Sequence, residues 1–94
     1  SPNSVCEAQI LGLPVIACNV GGVATLVEHE KTGFLVPSNG VFEFVHYLRL
    51  IKADENLGYK IGQEARRVAS MRHDRDKIVS DLLMVYSQIP IYQK

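Results

Sequence analysis

The residues best placed to do chemistry open the chain: Ser1-Pro2-Asn3-Ser4-Val5-Cys6-Glu7. Small and polar residues start a helix there, and an acid follows on its first turns. N–H groups at a helix start lack partners one turn back, and the helix dipole adds partial positive charge to them. Together they form an anion site suited to a diphosphate. Glu7 is then within a turn or two of that site, where a carboxylate can accept from both vicinal hydroxyls of a ribose. A second reading needs no ligand. Ser4 and Glu7 stand at S-x-x-E spacing, so Ser4 would be an N-cap and Glu7 would complete a capping box. Spacing alone leaves both readings open.

The elements that must position this segment are legible from pattern. The first helix runs through Val5 to Leu11, with Asn3 or Ser4 as N-cap and Gly12 as the left-handed residue that closes it. Leu13-Pro14-Val15-Ile16-Ala17-Cys18 is a continuous apolar run, too short for a core helix, and predicts a strand buried on both faces. Asn19 to Gly22 is a loop, Val23 to Glu28 a brief helix, Lys31-Thr32-Gly33 a turn, and Phe34-Leu35-Val36 a second strand stopped by Pro37. A helix over Val41 to Ala53 follows, with Val41, Phe44, Val45 and Leu48 on one stripe, broadened by Phe42, Tyr47 and Ile51. Asp54 caps a further helix with Leu57, Ile61, Ala65, Val68 and Ala69 on one face. The polar Arg72-His73-Asp74 predicts a break, and a last helix to Gln88 should turn Ile78, Leu82, Val85 and Tyr86 inward. Buried strands alternating with helices predict an α/β fold with parallel strands flanked by helices. Two strands cannot complete such a sheet, so residues 1–94 are expected to be a single partial domain, the C-terminal piece of a larger one.

Composition narrows the function classes. With 47% hydrophobic and 21% charged residues, the chain can fold around a core. Ten basic and ten acidic residues give a net charge of +0, which supplies no overall field for a nucleic-acid backbone, and no nucleic-acid partner is expected. No apolar run approaches the roughly 20 residues that span a bilayer. Cys6 and Cys18 lack the spacing of a zinc site and predict buried, unbridged thiols. His29, His46 and His73 stand apart from one another and from any acid pair, so no metal or catalytic role is assigned to them. Gly21-Gly22 serves either a close ligand approach or an ordinary strand-to-helix loop. Arg66, Arg67, Arg72, Arg75 and Lys77, mixed with acids, predict a solvated helix surface, with an anionic membrane surface as the lesser alternative.

Several motifs in order carry a resemblance: Pro2-Asn3-Ser4-Val5-Cys6-Glu7-Ala8, Gly12-Leu13-Pro14-Val15-Ile16-Ala17, Val20-Gly21-Gly22 and Lys31-Thr32-Gly33-Phe34-Leu35-Val36-Pro37. Together the chain closely resembles the C-terminal, Rossmann-like donor domain of GT-B glycosyltransferases of family GT4, the retaining group 1 transferases. The resemblance implies that Glu7 is the second of a glutamate pair and holds the donor ribose. The first of the pair, placed against the donor sugar, would fall two residues before Ser1. Asn3, Ser4 and Val5 are implied to hold the diphosphate through backbone amides, with the Ser4 hydroxyl as a further donor. No residue of this chain is expected to be catalytic, and no metal or cofactor is expected beyond a nucleotide-sugar substrate, UDP- or GDP-linked. The family's basic pair and its acceptor-binding N-terminal domain lie upstream, so the isolated chain is expected to be inactive. The acceptor class implied is a glycan or lipid-linked sugar, in the cytoplasm or at the inner face of the membrane with peripheral association, and the pathway class is polysaccharide or lipopolysaccharide assembly. Two departures stand out: Gln9-Ile10 replaces a Met-Ala type pair, and Met71-Arg72-His73-Asp74 replaces a more aromatic junction. A noncatalytic nucleotide-binding or interaction module, or a piece of a nucleotide-sugar epimerase, are the alternative readings. A Glu two residues before Ser1 would select the transferase.

Overall fold

A computed structural model describes residues 2–87, apart from the side chain of Tyr86. Ser1, the inward placement of Tyr86 and the Gln88 end of the last helix lie outside the described residues. The order is α1 (Pro2–Ile10), β1 (Ile16–Cys18), α2 (Val23–Leu26), β2 (Phe34–Val36), α3 (Val41–Ala53) and α4 (Glu55–Ser87). β1 and β2 pair in parallel, with Ile16 opposite Phe34 and Cys18 opposite Val36. The α/β class and the parallel pair therefore hold.

α1 ends as its sequence requires. Gly12 takes φ +76°, its N–H donates to the Gln9 carbonyl at 3.0 Å, and the Leu13 N–H reaches the Ala8 carbonyl at 3.0 Å. That pair of bonds is a Schellman closure, which satisfies carbonyls the helix would otherwise leave open. The closure also explains why β1 is shorter than the apolar run predicts. The Leu13 N–H is used in the turn and Pro14 has none, so the ladder starts with the Phe34 N–H donating to the Val15 carbonyl at 2.8 Å. It finishes with Asn19 N–H donating to the Val36 carbonyl at 2.7 Å.

The two strands differ in cover. Phe34 and Val36 of β2 are buried, whereas Ile16 and Ala17 are half-buried and Cys18 is exposed, so β1 is not buried on both faces. Among the described residues, β2 is its only strand neighbour. The outward edge of β2 is closed by a side chain. In this register the Leu35 N–H points away from β1, and it donates to His29 Nδ1 at 3.0 Å. The imidazole also lies edge-on to Phe34 and Tyr47, which stack at 4.5 Å between ring centres.

Asp54 separates the last two helices by itself. Its N–H closes α3 on the Leu50 carbonyl at 3.1 Å, and its Oδ1 accepts the Leu57 N–H at 3.2 Å. The stripe of α3 is less covered than its pattern predicts, with Val41, Phe42, Phe44 and Leu48 exposed. α4 corrects the sequence reading further. It is one unbroken helix of 33 residues, without the predicted break at Arg72-His73-Asp74. Neither Gly nor Pro occurs there, and polar residues on a helix surface do not end it. Its Ile61, Ala65 and Ala69 join Val5, Val27, Phe34 and Val36 in the core. Ile78, Leu82 and Val85, predicted to face inward, are exposed.

Candidate functional site

Pro2 suits the first helical position, where its fixed φ matches the helix and its missing N–H would have no partner. α1 therefore begins at Pro2, ahead of the predicted Asn3 or Ser4 cap. Asn3 and Ser4 fall in the first turn of α1. Val5 comes one step later, where the ladder takes over, and its side chain is in the core. With Ser4 inside the helix, Ser4 and Glu7 cannot form the capping box that their spacing allowed. Glu7 is exposed on the second turn, and among the described residues it enters no ion pair.

The start of α1 lies beside the loop that leaves the carboxyl end of β1. The loop leaving β1 meets it there: a Cβ built on Gly22 would stand 3.8 Å from Pro2 Cγ. Gly21 takes φ +49° with open space around it, while Gly22 is in helical conformation at the start of α2. The first turn of α1, with Asn3 and Ser4, is thus beside the Gly21-Gly22 loop at one end of the parallel pair, and Val5 and Glu7 follow further along the helix. Open α/β sheets bind ligands at that end, outside the carboxyl ends of their strands.

Behind this end lies a feature the sequence reading missed. Gln9 is only 1% exposed, and its Nε2 donates to the Leu26 carbonyl at 2.9 Å. Arg72 donates through Nη1 to Gln9 Oε1 at 3.2 Å and through Nη2 to the same Leu26 carbonyl at 3.3 Å. A polar residue four positions after Val5, on the buried stripe of α1, was the available signal. Its partner lies 63 positions away and had none. His29 was likewise unassigned, and no local spacing links it to Leu35 or to Tyr47, whose hydroxyl is 3.3 Å from Nε2.

The basic cluster is smaller than its sequence spacing indicates. Arg67 is held by Glu64, with Nη2 at 2.6 Å from Oε1 and Nε at 3.0 Å from Oε2, and Arg72 is turned inward. Those hydrogen bonds from Arg67 keep the Glu64 carboxyl below its ordinary range. Cys6 is half-buried and Cys18 exposed, both as free thiols, so the predicted burial does not hold. No helix among the described residues is long and apolar enough to cross a membrane.

A helix start beside the carboxyl end of a parallel strand pair is the arrangement in which open α/β folds place their ligand sites. Residues 2–68 match the family model for glycosyl transferases group 1, and the chain belongs to that family. It is 38% identical over 82 residues to the D-inositol 3-phosphate glycosyltransferase of Jonesia denitrificans, a match covering 87% of this chain and 19% of that protein. An uncharacterized glycosyltransferase of Haemophilus influenzae is 35% identical over 81 residues, covering 85% of the chain and 23% of the relative. The fold matches that of Anabaena HepE in complex with UDP and glucose, with a TM-score of 0.81 and 28% identity over 94% of this chain and 24% of HepE. HepE in complex with UDP-glucose matches with a TM-score of 0.78 and 29% identity, over 92% of the chain and 24% of HepE. The chain thus spans about a fifth to a quarter of the length of these proteins, and its likeness to HepE shows a GT-B type α/β architecture of which it carries a part.

Proposed function

We propose that this chain supplies the diphosphate and ribose side of the donor site of a retaining glycosyltransferase. Such an enzyme moves a sugar from a UDP- or GDP-linked donor to a glycan or lipid-linked acceptor. The observation that carries the reading is the likeness over 94% of the chain to HepE, whose crystal structures are described with UDP and with UDP-glucose. In this reading the first-turn amides of Asn3 and Ser4 receive the diphosphate at the positive end of α1. Diphosphate charge grows as the sugar leaves, and a fixed helix start stabilises that growth without reorganising. Val5, one step further into the ladder and with its side chain in the core, anchors that turn and does not itself reach the diphosphate. Glu7 takes the two ribose hydroxyls. The charge chemistry of donor binding then needs no metal and no cofactor. The donor-sugar glutamate, the basic pair and the acceptor domain belong to the part of such an enzyme beyond this chain, which works in the cytoplasm or at the inner face of the membrane.

The test is Glu7→Gln, measured by titration of UDP and GDP into the unmodified and variant proteins. Charge-assisted hydrogen bonds to a carboxylate are worth about 1.5–3 kcal/mol each, and the amide keeps one acceptor oxygen. The expected outcome is a loss of about tenfold or more in affinity with the melting temperature almost unmoved. A 2′,3′-dideoxy nucleotide should bind the unmodified protein weakly and be indifferent to the change. Equal sensitivity of the normal and dideoxy nucleotides would remove Glu7 from the ribose, and failure of both UDP and GDP to bind would sink the donor-site reading.

A further inference from the structure

The inner stripe of α1 consists of Val5 and Gln9, so one of its two buried positions is polar. A buried amide is costly unless its donor and acceptor are both used. Here they are. Gln9 Nε2 donates to the Leu26 carbonyl at 2.9 Å, Gln9 Oε1 accepts from Arg72 at 3.2 Å, and the second Arg72 nitrogen returns to the Leu26 carbonyl at 3.3 Å. The carbonyl at the apex belongs to the last residue of α2, where a one-turn helix has no N–H of its own to offer. The triangle therefore joins α1, the end of α2 and the middle of α4.

Gln9 and Arg72 come from separate parts of the sequence. They are 63 positions apart in sequence and in direct contact in space. Neither is favourable alone: without Arg72 the Gln9 oxygen would be buried unpaired, and without Gln9 the guanidinium would lose a partner at the rim of the core.

We infer that Gln9 and Arg72 are a matched polar brace and serve as positioning residues for the nucleotide end of α1. Helical geometry gives the mechanism. Glu7 is two residues before Gln9 and so about 200° around the axis. Fixing the Gln9 side chain inward fixes the rotation of α1, which sends Glu7 outward and aims the first-turn amides of Asn3 and Ser4. The planar guanidinium suits the task because it reaches two acceptors in one fixed geometry, which an ammonium does not. The positioning role rests on the donor-site reading, whereas the brace itself does not.

A double-mutant cycle separates the two. Gln9→Met, Arg72→Phe and the double variant are compared by denaturant unfolding and by UDP titration followed at the amides of Asn3, Ser4 and Glu7. Each single change should lower the folding equilibrium constant by about tenfold, and the double variant should recover most of that loss. UDP affinity, measured where every variant is fully folded, should fall severalfold in each single variant and return in the double. A role confined to stability would leave that affinity unmoved. Additive losses in folding would overturn the matched brace, and coupled folding with unchanged UDP affinity would overturn its positioning role. Absence of UDP binding by the unmodified chain would remove the donor-site reading and the positioning role with it. The folding cycle would still decide the brace. If Arg72→Phe does not fold, Arg72→Lys takes its place and should show the same affinity loss, since one ammonium cannot hold both acceptors.

Discussion

The first and second halves of α4 carry similar apolar periodicity and meet opposite fates. In residues 55–70, Ile61, Ala65 and Ala69 are closed into the core, and Ala65 is 1% exposed. In residues 71–87, Met71, Ile78, Val79, Leu82, Leu83 and Val85 remain open to solvent, Leu83 at 63%. The helix is continuous, so the difference does not come from secondary structure. It comes from what lies opposite. The first half faces α1 and the turn at Gly12, and contact with α1 continues to Arg72, while the residues after it extend away in a molecule whose longest dimension is 58 Å. An amphipathic stripe makes burial available, and a second surface is needed to realise it.

This contrast can be broken by paired truncations. Ile61→Ala removes a buried side chain and should cost about 2–4 kcal/mol in denaturant unfolding, whereas Leu83→Ala should stay within about 0.5 kcal/mol. Comparable losses at the two sites would mean that the second half is covered in solution. A sharper probe is Gly62→Ala. A Cβ there would overlap the Gly12 carbonyl oxygen, which forces α4 away from the end of α1. We expect a net loss of about 1–3 kcal/mol in spite of the better helix propensity of alanine, and a gain in stability would show that the two elements do not touch.

The smallest effect should come from Glu64 and Arg67, a pair on the solvent side of the well-packed half. The carboxyl is held below its ordinary range chiefly by hydrogen bonds from Arg67. Any stability it adds is therefore present above the unfolded-state range of a glutamate and is lost as pH falls through the lower, folded-state range. Both groups are exposed, so screening keeps the contribution small. Thermal melts of Glu64→Gln and the unmodified chain should differ slightly near neutral pH and converge in acid. A difference that grows on acidification would reverse the assignment.

Much of the fold was legible because its causes are local. The Gly12 closure, the arrest of β2 at Pro37, the span of α3 and the Asp54 cap each depend on residue types within one or two turns of chain. The helix α1 was legible for the same reason, although its start was misplaced because a proline at the first helical position reads as part of a preceding turn. The false break at Arg72-His73-Asp74 has the opposite origin. Three polar residues look like a junction until one of them is seen bonded to Gln9 and Leu26.

Sequence by itself determined the segments that become α1, β1, α2, β2 and α3, and that the strands pair in parallel. These follow from backbone dihedral preferences, capping and hydrophobic period, which act over a few residues. Tertiary structure alone decided which apolar faces are covered, that the His29 imidazole takes the outward Leu35 N–H, and that Gln9 meets Arg72 across 63 positions. Such contacts depend on packing that brings distant segments together. A buried hydrogen bond has a definite partner only after the elements carrying donor and acceptor have docked.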